Sequence, residues 1–451
     1  MITTYLNKTV LGQGRKMKKI VFFIQSPKPY GGAHTLYLDL ASYIADNMEG
    51  CQAYYINYYY PEVERDYNES KLEICNVETV DYNRFEGATF FVSINYLGYL
   101  LSKIKHLKKA KICIYFFHPN VFFWYSNQFF RWAKKPTDIL SLIAKENAYA
   151  FMDKSNYLAI SRKVSEAFNE TYVPVTMRNF VQKTLLTNQK ELQKNEINIG
   201  WLGRLDMDKV YSITNLADNL LALDSERVIN FHIVGDGTAK KIINVQKYSP
   251  QIRFIFTSYM YGEERDLYIR DNFDIGVAMG VSALDIARIG IPTVIPIVSS
   301  TRFRNDDFVY LFDVDGHSLG WSLEDKNDID SKFCYLEEII DDVYNRGLKF
   351  QLGKKCKQFA EKQFGVKSGA SYLVKAIQKT TLTVEKCLKC PSITQQMKLF
   401  KWYSKIRKTD DYGRYHQFVM AMNRLKDAKI SVKRNVVKLK IKNMFKARRE
   451  K

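Results

Sequence analysis

Twice along this chain, short β-branched or aromatic runs alternate with segments whose apolar residues recur at helical spacing. Few folds accommodate that pattern. Neighbouring parallel strands need a long crossover, and a helix supplies it, so the alternation predicts mostly parallel sheets covered on both faces. The first series opens with Lys19–Gln25 as a strand and a loop ending in Gly31-Gly32. A helical pattern follows through Leu36, Leu38, Leu40, Ala41 and Ile44. Further strands are expected at Ala53–Tyr59, Ala88–Ile94, Ile112–Phe117 and Tyr157–Ile160, with helices at Tyr96–Lys105 and Thr137–Phe151.

Tyr172 to Asn195 is polar and aperiodic, and reads as a linker. A second series then predicts strands at Ile197–Leu202, Ile229–Val234, Ile252–Phe256, Ile275–Met279, Thr293–Ile297 and Phe308–Phe312. Helices are expected at Ile213–Leu223, Thr238–Tyr248, Gly262–Asn272 and Ala283–Ile289, then at Phe350–Phe364 and Gly369–Gln378. The expected division is a polar leader over 1–16, one Rossmann-like domain over 17–182 and a second over 183–355. Closing helices over 356–380 and a basic amphipathic tail over 381–451 complete the chain. The fold class is therefore α/β, with two doubly wound domains facing a cleft.

With 451 residues, 46% hydrophobic and 26% charged, the chain can bury two or three cores. Its seven cysteines are scattered and odd in number, which argues against a disulfide framework and fits a reducing cytosol. Cys387 and Cys390 have the spacing of half a zinc site, but no second pair follows. The N-terminus lacks the apolar core of a secretory signal, and the densest apolar stretch, Thr89–Leu101, is too short and too polar to span a bilayer.

The residues with chemical potential lie where strands end. Ile197–Leu202 turns on Gly203 and presents Arg204 and Lys209, and Ile229–Val234 ends on Gly235-Asp236-Gly237. Open α/β sheets bind ligands at the carboxyl ends of their strands, where cations and backbone N–H groups receive phosphates. Gly31-Gly32 permits close backbone approach, although a plain tight turn uses the same residues. No G-x-x-x-x-G-K-[ST] sequence is present.

In order along the chain stand Tyr30-Gly-Gly-Ala33, Phe117-His-Pro119, Leu158-Ala-Ile-Ser161, Gly203-Arg-Leu with Lys209, Ile233-Val-Gly-Asp-Gly237 and Ser282-Ala-Leu-Asp-Ile-Ala-Arg-Ile-Gly-Ile-Pro292. Together they make residues 17–380 resemble GT-B-fold glycosyltransferases, specifically the retaining family 4 with its bacterial surface-polysaccharide enzymes. The resemblance implies transfer of a sugar from a nucleotide-sugar donor to a glycan or lipid-linked acceptor, with no metal and no further cofactor. Arg204 and Lys209 match the cations that hold the donor diphosphate, and His118 matches the histidine beside the donor sugar. Asp285 stands at the second acid of the E-x7-E motif, which binds the ribose. Ser282, Ala283 and Leu284 match the helix start that meets phosphate; Gly203 and Gly235 line the same site, and Tyr259 falls in the loop near the base.

One position departs. Eight residues before Asp285 stands Val277, so the motif's first acid is missing, which leaves open the donor sugar and the alternative of a non-catalytic GT-B binding subunit. His118 could also be structural, and Phe122–Tyr125 reads as core, lid or lipid contact. Asp206-Met-Asp208 and Asp313-Val-Asp315 spell D-x-D outside the fold in which that motif binds metal.

Net charge is +20 and unevenly placed: 381–451 holds 20 Lys and Arg against 5 Asp and Glu, and the first 380 residues 48 against 43. An anionic partner follows. Basic residues among Phe400, Trp402 and Tyr403 suit either an anionic membrane or nucleic acid, and the membrane is the reading adopted, with the enzyme cytoplasmic and peripheral on the inner face. Val432–Phe445 reads as an amphipathic helix, with a strand as the alternative.

Overall fold

The computed structural model describes residues 17–25, 32–126, 136–177, 191–193, 195–223, 225–249, 251–407, 414–415, 417–419 and 421. The leader 1–16, Gly31 and Val432–Phe445 lie outside the described residues. The first sheet holds β1 (Lys18–Phe23), β2 (Cys51–Asn57), β3 (Glu73–Asn76), β4 (Thr89–Ser93), β5 (Lys111–Phe116) and β6 (Tyr149–Phe151). Their order is β3-β2-β1-β4-β5-β6, and every pairing is parallel.

Alternation along the strands divides the buried residues between two cores. Val21, Phe23, Phe90, Val92, Ile112 and Ile114 point into one. Ile20, Phe22, Phe91, Cys113 and Tyr115 point into the other. Because both faces are covered, the strands read as continuous apolar runs. The helix Gly32–Asn47 covers the second face with Leu36, Leu40, Ala41 and Ile44.

Two expectations fail here. Tyr157–Ile160 is not a strand but part of the helix Lys154–Ser161, capped by Asp153, whose carboxylate accepts the Asn156 N–H at 2.9 Å. The last strand is instead Tyr149–Phe151, inside the span expected as helix. The helix ends at Lys145 and the chain reverses through Asn147 at φ 48, a conformation asparagine tolerates. In so short an apolar run, periodicity does not separate helix from strand.

The second sheet holds β7 (Glu196–Leu202), β8 (Val228–Val234), β9 (Ile252–Thr257), β10 (Ile275–Ala278), β11 (Thr293–Ile295), β13 (Asp307–Tyr310) and β15 (Phe333–Tyr335); β12 (Ile297–Val298) pairs separately with β14 (Trp321–Ser322). The order is β15-β13-β11-β10-β7-β8-β9, with β13 and β15 antiparallel at the edge. Thr238–Tyr248 forms two short 3-10 turns rather than the expected helix. Ala239, Ile243 and Tyr248 are its buried positions while Val245 is exposed, and that spacing does not sustain one helical face.

Behind β10, the Asp274 carboxylate holds the buried Lys349 ammonium and also accepts from Asn198 Nδ2 at 3.0 Å and Tyr344 Oη at 2.8 Å. Asp274→Ala would remove the carboxylate that pairs with the buried Lys349, with an expected loss of about 3–5 kcal/mol. Urea denaturation of wild type and variant checks that loss.

The chain then returns to the first domain. Helix Val366–Lys379 places Ala370, Leu373, Ala376 and Ile377 in the core beneath Gly32–Asn47. Beyond it, the Ile112 N–H donates to Leu382 O, and the Val384 N–H to Ala110 O, both at 2.9 Å. Val384, Cys387, Cys390, Ile393, Phe400 and Tyr403 are buried in the first domain's core. The expected tail over 381–451 is therefore not a free basic segment from its start: Phe400 and Tyr403 are core residues, and Trp402 is the exposed aromatic of the helix Pro391–Arg407. Cys387 and Cys390 are buried thiols. Among the described residues no helix is long and apolar enough to cross a membrane.

Candidate active site

Strand order reverses between β1 and β4 in the first sheet and between β7 and β10 in the second, and such switch points open crevices at the strands' carboxyl ends. The two ends face each other closely enough that His118, after β5, feels the charge of Asp208, after β7. Between the domains, the Lys154 N–H donates to Gly316 O at 2.9 Å and Arg162 Nη1 pairs with Asp325 at 2.8 Å.

The glycine turns of the second domain lock its loops together. Gly203 (φ 149) and Gly235 (φ 144) adopt backbone conformations that side chains disfavour, and a side-chain carbon on Gly235 would collide with the Gly203 carbonyl. The Gly203 N–H donates to Val234 O at 3.0 Å, and the Leu205 N–H to Asp236 O at 2.9 Å. Gly32 opens its helix with nothing within 4 Å of where a side chain would start, so local packing does not demand glycine there.

Around Gly203 the expected residues converge. The position a Cβ would take lies 3.8 Å from Ser282 Oγ and 4.0 Å from Lys209 Nζ. Burial pushes the Lys209 pKa down and the Arg204 charge adds to that, while Asp208 and Asp206 oppose it. Arg204 is the exposed member of the pair, with Nη1 at 2.6 Å from Asp206. Asp206 thus serves an arginine, and Asp315, from the other D-x-D, lies 3.7 Å from Lys154 Nζ. Among the described residues no three His, Cys, Asp or Glu side chains gather as a metal site.

Ser282, Ala283, Leu284 and Asp285 all lie on the short helix Val281–Ala287, entered through Gly280 at φ 59. Ala283 and Leu284 are buried side chains, so only their backbones could meet a ligand. Asp285 is not a solitary acid: Arg265 Nη1 lies 2.9 Å from its Oδ2 and Arg288 Nε 3.5 Å from its Oδ1. Sequence reasoning missed Arg265, and its only signal was an arginine on the helix Gly262–Asn272 after β9.

Val277 also reads differently in three dimensions. It is a fully buried sheet residue, paired with Trp201 on β7 and Val294 on β11. Only Met279 and Gly280 separate β10 from the helix Val281–Ala287. The connection from β10 to that helix is two residues long, and position 277 lies before it, inside the sheet.

Across the cleft, His118 Nδ1 accepts the Asn120 N–H at 3.0 Å, which places the proton of the neutral ring on Nε2. Burial lowers the His118 pKa, and Asp208 partly offsets that. Because the folded-state pKa is depressed, the ring's contribution to stability is present above the ordinary imidazole value and is lost as pH falls below it. The acid limb of a pH–rate profile governed by His118 is accordingly expected below about 6.5. Asp208→Asn should move it lower still, and a limb at or above the ordinary value would contradict this. Of the neighbouring aromatic cluster, Phe122 and Tyr125 are core and Phe123 is exposed.

Tyr259 is exposed and donates its hydroxyl to Asp236 O at 2.7 Å, which ties the β9 loop to the glycine turn. Its ring stacks on Tyr261, with centroids 6.3 Å apart and planes 22° from parallel. Tyr261 joins Arg265 among the residues not singled out from the sequence, where Asp208 stands out only as half of a D-x-D.

No protein-family profile matches this chain, and no curated protein matches it in sequence. Solved structures do. The apo lipopolysaccharide outer core galactosyltransferase WaaB is 13% identical, with 80% of this chain and 99% of that one covered at TM-score 0.49. A glycosyltransferase from Rickettsia africae is 11% identical over 80% and 98%, also at 0.49. Sucrose-phosphate synthase from Thermosynechococcus elongatus is 13% identical over 80% and 98%, at 0.48. The chain's own architecture, two Rossmann-like domains with opposed switch points, is the α/β arrangement expected from its sequence.

Proposed function

We propose that this protein is a glycosyltransferase that moves a sugar from a nucleotide-sugar donor to a glycan or lipid-linked acceptor, in bacterial surface-polysaccharide synthesis. The observation that carries this reading is the convergence of Lys209, Arg204 and Ser282 around Gly203 at a switch point, with a neutral histidine facing them. In such a transfer the bond from the anomeric carbon to the diphosphate breaks and negative charge grows on the leaving nucleotide. Fixed cations stabilise that charge more than they stabilise the bound donor, which is what accelerates a reaction.

In this reading Arg204 and Lys209 hold the diphosphate, Ser282 with the Ala283 and Leu284 backbones meets phosphate, Asp285 binds the ribose and Tyr259 lies near the base. His118 Nε2–H donates to the sugar or acceptor. Reaction without a metal and with retained anomeric configuration are parts of the same proposal. Persistence of activity in EDTA tests the first, and the anomeric proton of the fresh product tests the second. Peripheral residence on an anionic cytoplasmic membrane surface is proposed from the basic C-terminal segment, with nucleic acid as the disfavoured partner; liposome flotation against an RNA competitor tests it.

A panel of UDP-, GDP-, CMP- and dTDP-sugars tests the reading as a whole. Hydrolysis or transfer of at least one donor is expected, together with nucleotide binding that weakens in Arg204→Ala. The short β10 connection favours one second reading, a non-catalytic nucleotide- or glycan-binding subunit. Binding without any turnover would support it.

A further inference from the structure

Asp285 belongs to a closed ring of four alternating charges. Asp266 Oδ1 accepts from Arg265 Nε at 3.1 Å and Nη2 at 2.9 Å. Arg288 Nη2 donates to both Asp266 oxygens, at 2.7 and 2.5 Å. Arg265 and Arg288 each reach on to Asp285, at 2.9 and 3.5 Å. Asp266 and Arg288 are buried, while Arg265 and Asp285 are partly open, with 17% and 21% of their side chains exposed. The ring therefore has an inner pair that cannot reach water and an outer pair at the cleft.

Its geometry is uneven. Arg288 Nε has no hydrogen-bond partner among the described residues, and at 3.5 Å its contact with Asp285 Oδ1 is longer than a good charged hydrogen bond. Asp266 takes the short contacts of Arg288 with both its oxygens, and the closer contact of Asp285 is with Arg265. Without the Asp266 charge, Asp285 becomes the one carboxylate of the ring left for a buried guanidinium, and attraction draws it inward.

We propose that Asp266 and Arg265 are positioning residues that hold Asp285 at the ribose end of the donor site, Asp266 acting through Arg288. This compensates for an acid one methylene shorter than glutamate, whose aim must be fixed because its reach is small. The inference rests on the reading of Asp285 as the ribose-binding acid.

The test compares the Kd of UDP and GDP with that of inorganic pyrophosphate, which lacks the ribose, for the full-length protein. Asp266→Asn and the milder Arg265→Gln are both measured, at a temperature where circular dichroism shows them folded. Each is expected to raise the Kd of the nucleoside diphosphate the wild type prefers by about tenfold, the worth of one hydrogen bond to a charged group, with pyrophosphate unchanged. Asp285→Asn should match them, and adding it to Asp266→Asn should weaken binding little further. Unchanged nucleotide affinity, or equal losses for nucleotide and pyrophosphate, would overturn the proposal. A wild type that binds pyrophosphate but no nucleotide would overturn the donor-site reading itself, and this inference with it.

Discussion

Lys209→Ala is expected to slow release of nucleotide from the donor by about 10²- to 10³-fold while the fold survives. Lys209 Nζ sits beside the Gly203 turn and Ser282 Oγ, in partly buried surroundings where a cation acts at a reduced dielectric. Its partner Arg204 is exposed and already engaged by Asp206, so water screens it more and its loss should cost less. Lys209→Arg is not a neutral control, because a planar guanidinium fork differs from a compact ammonium in shape and hydrogen-bond geometry. Single-turnover rates separate the two variants. A Lys209→Ala enzyme as fast as wild type would remove the loop from the chemistry.

Val277→Glu, the substitution that would restore the acidic motif on paper, is expected to unfold the second domain rather than improve catalysis. The side chain would point into the core between β7 and β11, among Ile199, Trp201 and Val294, where the Trp201 indole N–H is the only polar side-chain group those three residues offer. A carboxylate buried in that apolar core places the variant among the most damaging substitutions, at about 4 kcal/mol or more. Urea denaturation measures this. A stable variant with enhanced donor turnover would show that position 277 does reach the cleft.

What could be read in the sequence, and what could not, divides along physical lines. Strands buried on both faces announce themselves as continuous apolar runs, so β7 and β8 were placed within a residue of their observed ends. Gly203 and Gly235 stood out because a loop–loop contact requires positive φ and the absence of a side chain. Tyr149–Phe151 and Tyr157–Ile160 were exchanged between strand and helix because three or four apolar residues carry no usable period; the Asp153 cap was the better signal. The tail misled for a different reason. Phe400 and Tyr403 lie among lysines, and composition does not say which face of a helix a core domain will cover.

The candidate site follows the same division. Arg204, Lys209, Ser282 and Asp285 come from turns and helix starts whose chemistry is local, and the structure gathers Gly203, Lys209 and Ser282 at one point. Arg265 reaches Asp285 from twenty positions earlier, on another helix, and only folding makes that contact. Spacing along the sequence sets Val277 eight residues before Asp285, but only the fold shows that position 277 is inside the sheet.

The central claim, that the Gly203–Lys209 turn receives a nucleotide-sugar diphosphate, is tested most directly by nucleotide release from the panel of donors with wild type and Lys209→Ala side by side. The account predicts release from at least one donor by the wild type and a loss of about a hundredfold or more in the variant. Failure of the wild type to bind or cleave any donor, or equal rates for the two proteins, would contradict it.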